Sequence, residues 1–162
     1  SNGARTVVIP AGNYQWQSFF FGARTADRRK VSAFFSVNAG EFYDGNRTSI
    51  STDLNWRPSA HFRLGAAYSA NNVSLPDGDF VVRIGSLRVQ YVFSSTLSWT
   101  NLIQYDNVSE TMGFNSRLHW IPQAGREGFI VLNHSLEDID KNDVFHSTGA
   151  DIAVKFNYTW RF

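Results

Sequence analysis

The chain contains no cysteine, a single methionine, four prolines among 162 residues and no sustained apolar run. Without cysteine there are no disulfides, no thiolate metal sites and no cysteine nucleophile. The longest apolar stretch is a few residues around Phe19-Phe20-Phe21. That is far short of the roughly 18–20 residues a spanning helix needs, so a helical membrane protein is excluded. Fifteen Lys and Arg against 14 Asp and Glu leave a net charge of +1, too weak a field to recruit nucleic acid. No charged n-region followed by an apolar h-region opens the chain, which therefore reads as a mature form or a fragment. Apolar residues at helical spacing are scarce as well.

What is present favours strands. Hydrophobic residues make up 43% and aromatic residues 15%, with 14 Phe, 6 Tyr and 5 Trp, and rings of this kind pack well on a pleated surface. The length suits one domain over 1–162. Alternation with a period of two recurs along the chain. It is clearest at 48–56 (Thr48, Ile50, Thr52, Leu54 and Trp56 against Ser49, Ser51, Asp53 and Asn55), at 62–70, at 112–120 and at 151–162. Further strands are predicted at 14–24, 30–39, 79–93, 97–106 and 127–135. A change of phase near Ile84-Gly85-Ser86-Leu87 predicts a bulge there. Nine strands follow from Tyr14 onward, with a tenth predicted in 5–9 to give the even count of bacterial barrels.

The connections read as two alternating kinds. Short polar turns fall at 26–29, 57–60, 94–96 and 122–126; longer glycine- and acid-bearing loops fall at AGEFYDGN, NNVSLPDGD, DNVSE and HSLEDIDKNDVFHSTG. Trp56, Phe93, Trp99, Trp120 and Trp160 lie close to the short turns or the terminus, as in an aromatic girdle at headgroup level. The other face carries small and charged residues, among them Arg63, Arg83, Arg88, Arg117, Lys155 and Arg161, as a hydrated lumen would. The predicted fold is all-β: an antiparallel up-and-down transmembrane β-barrel, with about eight to ten strands in this chain. Alternation by itself does not separate this from a soluble barrel whose apolar face points inward.

The last residues, DIAVKFNYTWRF, end on Phe162 after Tyr158 and Trp160. This resembles the C-terminal signal of bacterial outer-membrane proteins, and the resemblance implies that these three side chains are read by the barrel-assembly machinery. A narrower likeness rests on GEFYDG, NNVSLPDGDF, LIQYDN and NSRLHWIPQAGREGFIVLNH. These segments are similar to the C-terminal barrel region of large outer-membrane proteins that carry an N-terminal carbohydrate-binding-module-family-9-like domain. The resemblance implies an outer-membrane location and a larger barrel of which this chain supplies the closing strands. It implies no chemistry.

Candidate sites are few. DIDKND, residues 138–143, offers oxygens at Asp138, Asp140 and Asn142, but Asp143 stands where a calcium loop needs glycine and Gly149 where it needs a bidentate Glu; it reads as a solvated loop. His134 and Ser135 with Glu137 and Asp138 put a base, a hydroxyl and acids together, yet no nucleophile elbow surrounds Ser135, so no enzyme is expected. His61 and His119 fall on the polar face near the short turns, and the four scattered His argue against zinc. The basic residues either make a pore anion-selective or pair with Asp53, Asp106 and other acids to stiffen the wall. Five Asn-X-Ser/Thr sequons, at Asn46, Asn72, Asn107, Asn133 and Asn157, are ordinary for a chain this rich in those residues.

The expectation is thus a structural or transport role in the bacterial outer membrane, as a passive pore or the membrane anchor of a larger protein, without cofactor or metal. Its expected partners are outer-membrane lipid and lipopolysaccharide, the barrel-assembly machinery, and the remainder of the same barrel or another subunit. A soluble ligand-binding β-barrel and an outer-membrane barrel enzyme are the alternatives.

Overall fold

The computed structural model describes residues 17–76, 78–142 and 144–159. Within them lie nine strands: β1 (Ser18–Arg24), β2 (Val31–Phe42), β3 (Gly45–Trp56), β4 (Phe62–Leu75), β5 (Gly78–Ser94), β6 (Leu97–Asp106), β7 (Thr111–Gln123), β8 (Arg126–Glu137) and β9 (His146–Tyr158). Each pairs antiparallel with the next, giving one sheet in sequential order. Among the described residues β1 and β9 pair with no further strand, so the sheet has two open edges. The tenth strand predicted in 5–9 lies outside the described residues.

The period-two reading fixes the two faces. On one face Trp56, Leu64 and Val89 stand side by side across β3, β4 and β5, and the next row holds Leu54, Ala66, Leu87, Ile103 and Phe114. On the other face one row runs Ser32, Asn55, Gly65, Arg88, Leu102, Asn115, Asn133 and Asp151 across eight strands. Directly opposed residues share a face, so the register leaves an apolar face and a polar one.

Among the described residues no second layer covers the apolar face. Of the described hydrophobic residues Val73 alone is buried, while 26 large ones are exposed, including Leu54 at 46% and Ile152 at 71%. Soluble domains pack a sheet face against another layer around a core, and the described residues supply none for this sheet.

Three expectations are corrected. The predicted bulge near Ile84 is absent: pairing runs without a break from Gly78 to Val92, and the shift falls between Val92 and Ser94, with others at Trp120/Gln123 and Ser135/Leu136. The phase change instead reflects a local exchange of character, with Ile84 on the polar face and Arg83 on the apolar one. The long loops are mostly strand. β2 runs to Phe42 and β3 begins at Gly45, while β4 runs to Leu75 and β5 begins at Gly78. Two residues connect each pair, with Tyr43 in the left-handed region at φ 53°. Asn, Asp and Gly resemble loop composition, yet at a strand end they serve as alternating polar positions. The third connection is the four residues 107–110, and 138–145 is the longest at that end. The opposite turns have six, five, two and two residues (25–30, 57–61, 95–96 and 124–125), so length alone does not distinguish the ends.

Aromatic side chains do. At the end with the turns 57–61, 95–96 and 124–125, Trp56 meets Phe62 edge-on at 5.8 Å and Tyr91 meets Phe93 at 4.8 Å. Trp120 lies over Gly128 beside Phe156, so that a methyl added at Gly128 would sit 3.5 Å from its ring. Tyr158 closes the row opposite Arg126, whose guanidinium lies 4.9 Å from the ring centre. Trp56, Trp99 and Trp120 are 43%, 41% and 48% exposed on the apolar face. Trp160 and Phe162 lie outside the described residues.

Candidate functional site

The polar face is where side chains of one chemical type converge. Alternation in β4 and β5 sends Arg63 and Arg88 to this face, and alternation in β7 sends Arg117 there. Register then aligns Arg63 with Gln90, Gln90 with Thr100 and Thr100 with Arg117, while Arg88 sits one step along, between Gly65 and Leu102. Neighbouring strands are about 4.8 Å apart, so the three guanidinium groups form an arc over four strands.

Four depressions lie along this face, each spanning three or four neighbouring strands, from Ser32 on β2 to Ser135 on β8. One of about 340 Å³ is lined by Asp27, Arg57, Arg63, Arg88 and Gln90, and one of about 360 Å³ by Arg88, Gln90, Asn115 and Arg117. Gly65 leaves the floor of the first open: a methyl there would lie 3.4 Å from Asn55 Oδ1 and 3.9 Å from Arg88 Cβ.

Charge pairing bears on both readings of these residues. Among the described residues Lys141 forms an ion pair with Glu110 (3.4 Å), and the imidazoles of His119 and His146 lie 3.9 Å from Glu127 and 3.8 Å from Asp140. None of these contacts involves Arg63, Arg88, Arg117 or Lys155, so among the described residues these cations form no ion pair with Asp53 or Asp106, although Asp53 and Arg88 line one depression. Asp53 stands opposite Phe34 and Ala67. Asp106 is occupied at its own turn, accepting from the backbone N–H of Val108 at 2.8 Å. Arg117 instead covers the Phe129 ring at 4.4 Å, and His119 stacks on that ring at 4.3 Å. The cation lies within the range where an aromatic face attracts it.

Arg83 is a correction. It stands opposite Ala70, which stands opposite Ile50, so it belongs to the apolar face. It sits near the end with the turns 76–77 and 107–110, where its backbone N–H donates to Asn107 Oδ1 and its carbonyl accepts from Asn107 N–H at 3.1 Å. A long cationic side chain at the edge of an apolar band reaches outward with its stem along the surface. Lys155 is on the polar face opposite Phe129; Arg161 lies outside the described residues. Arg57 and Arg24 were missed as members of the polar face. Arg57 sits in a turn, where alternation predicts no direction, and its guanidinium donates to the Asp27 carbonyl. Arg24 ends β1 and lies 4.8 Å from the Phe34 ring centre.

The other candidates disperse. His134 and Ser135 belong to β8 rather than to a loop, and on a strand adjacent residues point to opposite faces. His134 Nε2 reaches Ser147 Oγ at 2.9 Å instead. Asp138 is buried and its Oδ1 accepts from the Asn142 N–H at 3.1 Å, as in a turn held by its own side chain. Among the described residues no three His, Asp or Glu side chains converge on a point where a metal would sit. The sequon residue Asn133 is committed to the polar face, accepting from Asn115 Nδ2 and donating to Asp151 Oδ2 at 2.9 Å.

Comparison with protein-family models, with curated proteins and with solved structures finds no match for this chain.

Proposed function

We propose that the sheet is the wall of a transmembrane β-barrel in a bacterial outer membrane, serving as a passive pore or as the membrane anchor of a larger protein. The observation that carries this is the uncovered apolar face, along which large side chains such as Leu54, Trp99, Ile103, Trp120, Ile130, Ile152 and Phe156 stand exposed. Full burial of such a side chain contributes about 1.5–3 kcal/mol. Leaving roughly half of that unrealised at so many positions forfeits on the order of 20 kcal/mol or more, which exceeds a typical net stability of about 5–15 kcal/mol. Hydrocarbon is the solvent that removes the deficit.

Dimensions support the reading. On β4 the apolar positions run from Phe62 to Ala70, eight steps or about 27 Å along the strand. At a tilt of about 40° that is about 20 Å along the membrane normal, near the roughly 25 Å band of outer-membrane barrels. The Trp and Tyr row at one end matches the headgroup level. Lipid offers the backbone no hydrogen bonds, so the edges at β1 and β9 require further strands. We assign those to the remainder of the same barrel or to another subunit, in keeping with the resemblance to the larger outer-membrane proteins. A soluble ligand-binding barrel needs its apolar side chains packed together around an interior, whereas here they stand exposed along one face.

Heat-modifiable migration in detergent gels tests the proposal. The folded form is expected to run apart from the boiled form after detergent or liposome refolding. A monomer soluble in buffer, with no such folded band in detergent, would overturn it.

A further inference from the structure

The structure's polar face carries unneutralised guanidinium groups over open depressions, and we propose that the arc of Arg63, Arg88 and Arg117 is a binding site for small oxyanionic solutes, those bearing phosphate or carboxylate. The inference deepens the barrel reading, on which it rests, by naming what the inner wall selects. Three observations carry it. No carboxylate among the described residues forms an ion pair with any of the three; Asp27 and Asp53 line depressions beside Arg88, so the positive field is reduced there but no guanidinium is held by an acid and each is open to a solute. Arg88 lines both of the larger depressions, which have volumes of about 340 and 360 Å³, at the lower end of the range for small-molecule sites. The neighbouring positions are the neutral hydrogen-bonding groups Gln90, Thr100 and Asn115, which add donors without cancelling charge.

Chemistry sets the ligand class. A guanidinium presents a rigid fork of N–H donors that matches two oxygens of a carboxylate or phosphate at once. Chloride has no such pair of oxygens, so a site built of forks prefers oxyanions to halide. Gly65 keeps the floor beneath Arg88 clear, and Phe129 holds Arg117 from one side at 4.4 Å.

The test is calorimetric titration of inorganic phosphate, and separately of succinate, into the full chain folded in zwitterionic detergent at low ionic strength. Wild type is expected to bind at least one of the two saturably, and more weakly as chloride screens the site. Loss of a charge-assisted hydrogen bond in Arg88→Gln is expected to weaken binding roughly tenfold or more. Arg83→Gln removes the same group from the opposite face and is expected to leave binding unchanged. Gly65→Leu keeps every charge but fills the depression, and is expected to weaken binding as well. Absence of saturable binding to folded wild type, or equal losses from Arg83→Gln and Arg88→Gln, would overturn the site. Heat-modifiable migration of the same samples separates the two readings. Binding by a buffer-soluble monomer keeps the site and removes the membrane assignment; a heat-modifiable protein that binds neither anion removes the site alone.

Discussion

Replacing Leu87 by arginine sets the apolar face against its solvent. Leu87 lies between Ala66 on β4 and Ile103 on β6 and is 37% exposed. It is four residues from Tyr91 in the aromatic row, about 13 Å along the strand and about 10 Å along the normal of a barrel tilted by roughly 40°. That places it near the middle of the band, where an arginine facing lipid costs about 2–4 kcal/mol. Such a cost lowers the folding equilibrium by about 30-fold to several hundredfold. The neighbouring Ser86 points to the other face, opposite Ala67 and Gln104. Ser86→Arg there is expected to change stability by no more than about 0.5 kcal/mol. The assay is urea titration in lipid vesicles, followed by Trp fluorescence and by heat-modifiable migration. In water a partly exposed Leu87 would accept arginine almost freely, so equal midpoints for the two variants would refute the lipid-facing assignment.

Two further outcomes follow from local geometry. A methyl added at Gly45 would collide with the backbone carbonyl of Ser74, whereas one at Gly113 meets open space. Gly45→Ala is therefore expected to destabilise the sheet by about 1–3 kcal/mol, while Gly113→Ala leaves the urea midpoint within about 0.5 kcal/mol. Trp99 Nε1 donates to Ser116 Oγ at 2.8 Å. Trp99→Phe and Ser116→Ala are each expected to lose about 0.5–1.5 kcal/mol, and the double variant should lose less than their sum in a thermodynamic cycle.

The strands were legible because alternation is a local property. β6 occupies 97–106 as predicted, and Thr52, Leu54 and Trp56 share a face as their spacing requires. The same logic placed Arg63, Arg88, Arg117 and Lys155 together on the opposite face. It failed where one residue breaks phase within an unbroken strand: Arg83 was grouped with the lumen because charge was taken as the guide to its side. It also failed at strand ends, where AGEFYDGN and NNVSLPDGD have the composition of loops but pair until only two residues are left to connect the strands. Cross-strand hydrogen bonding there outweighs local turn preference, and no single segment carries that information. His134 and Ser135 were drawn together by adjacency, which on a strand separates them.

The amino-acid sequence by itself determined an all-β chain with one greasy and one polar side, since side-chain direction along an extended backbone follows from covalent geometry. Only the tertiary structure decided which of those polar side chains stand next to one another, as Arg63, Gln90, Thr100 and Arg117 do across four strands. That depends on how nine strands are shifted against one another, and register is a relation between segments far apart in the chain.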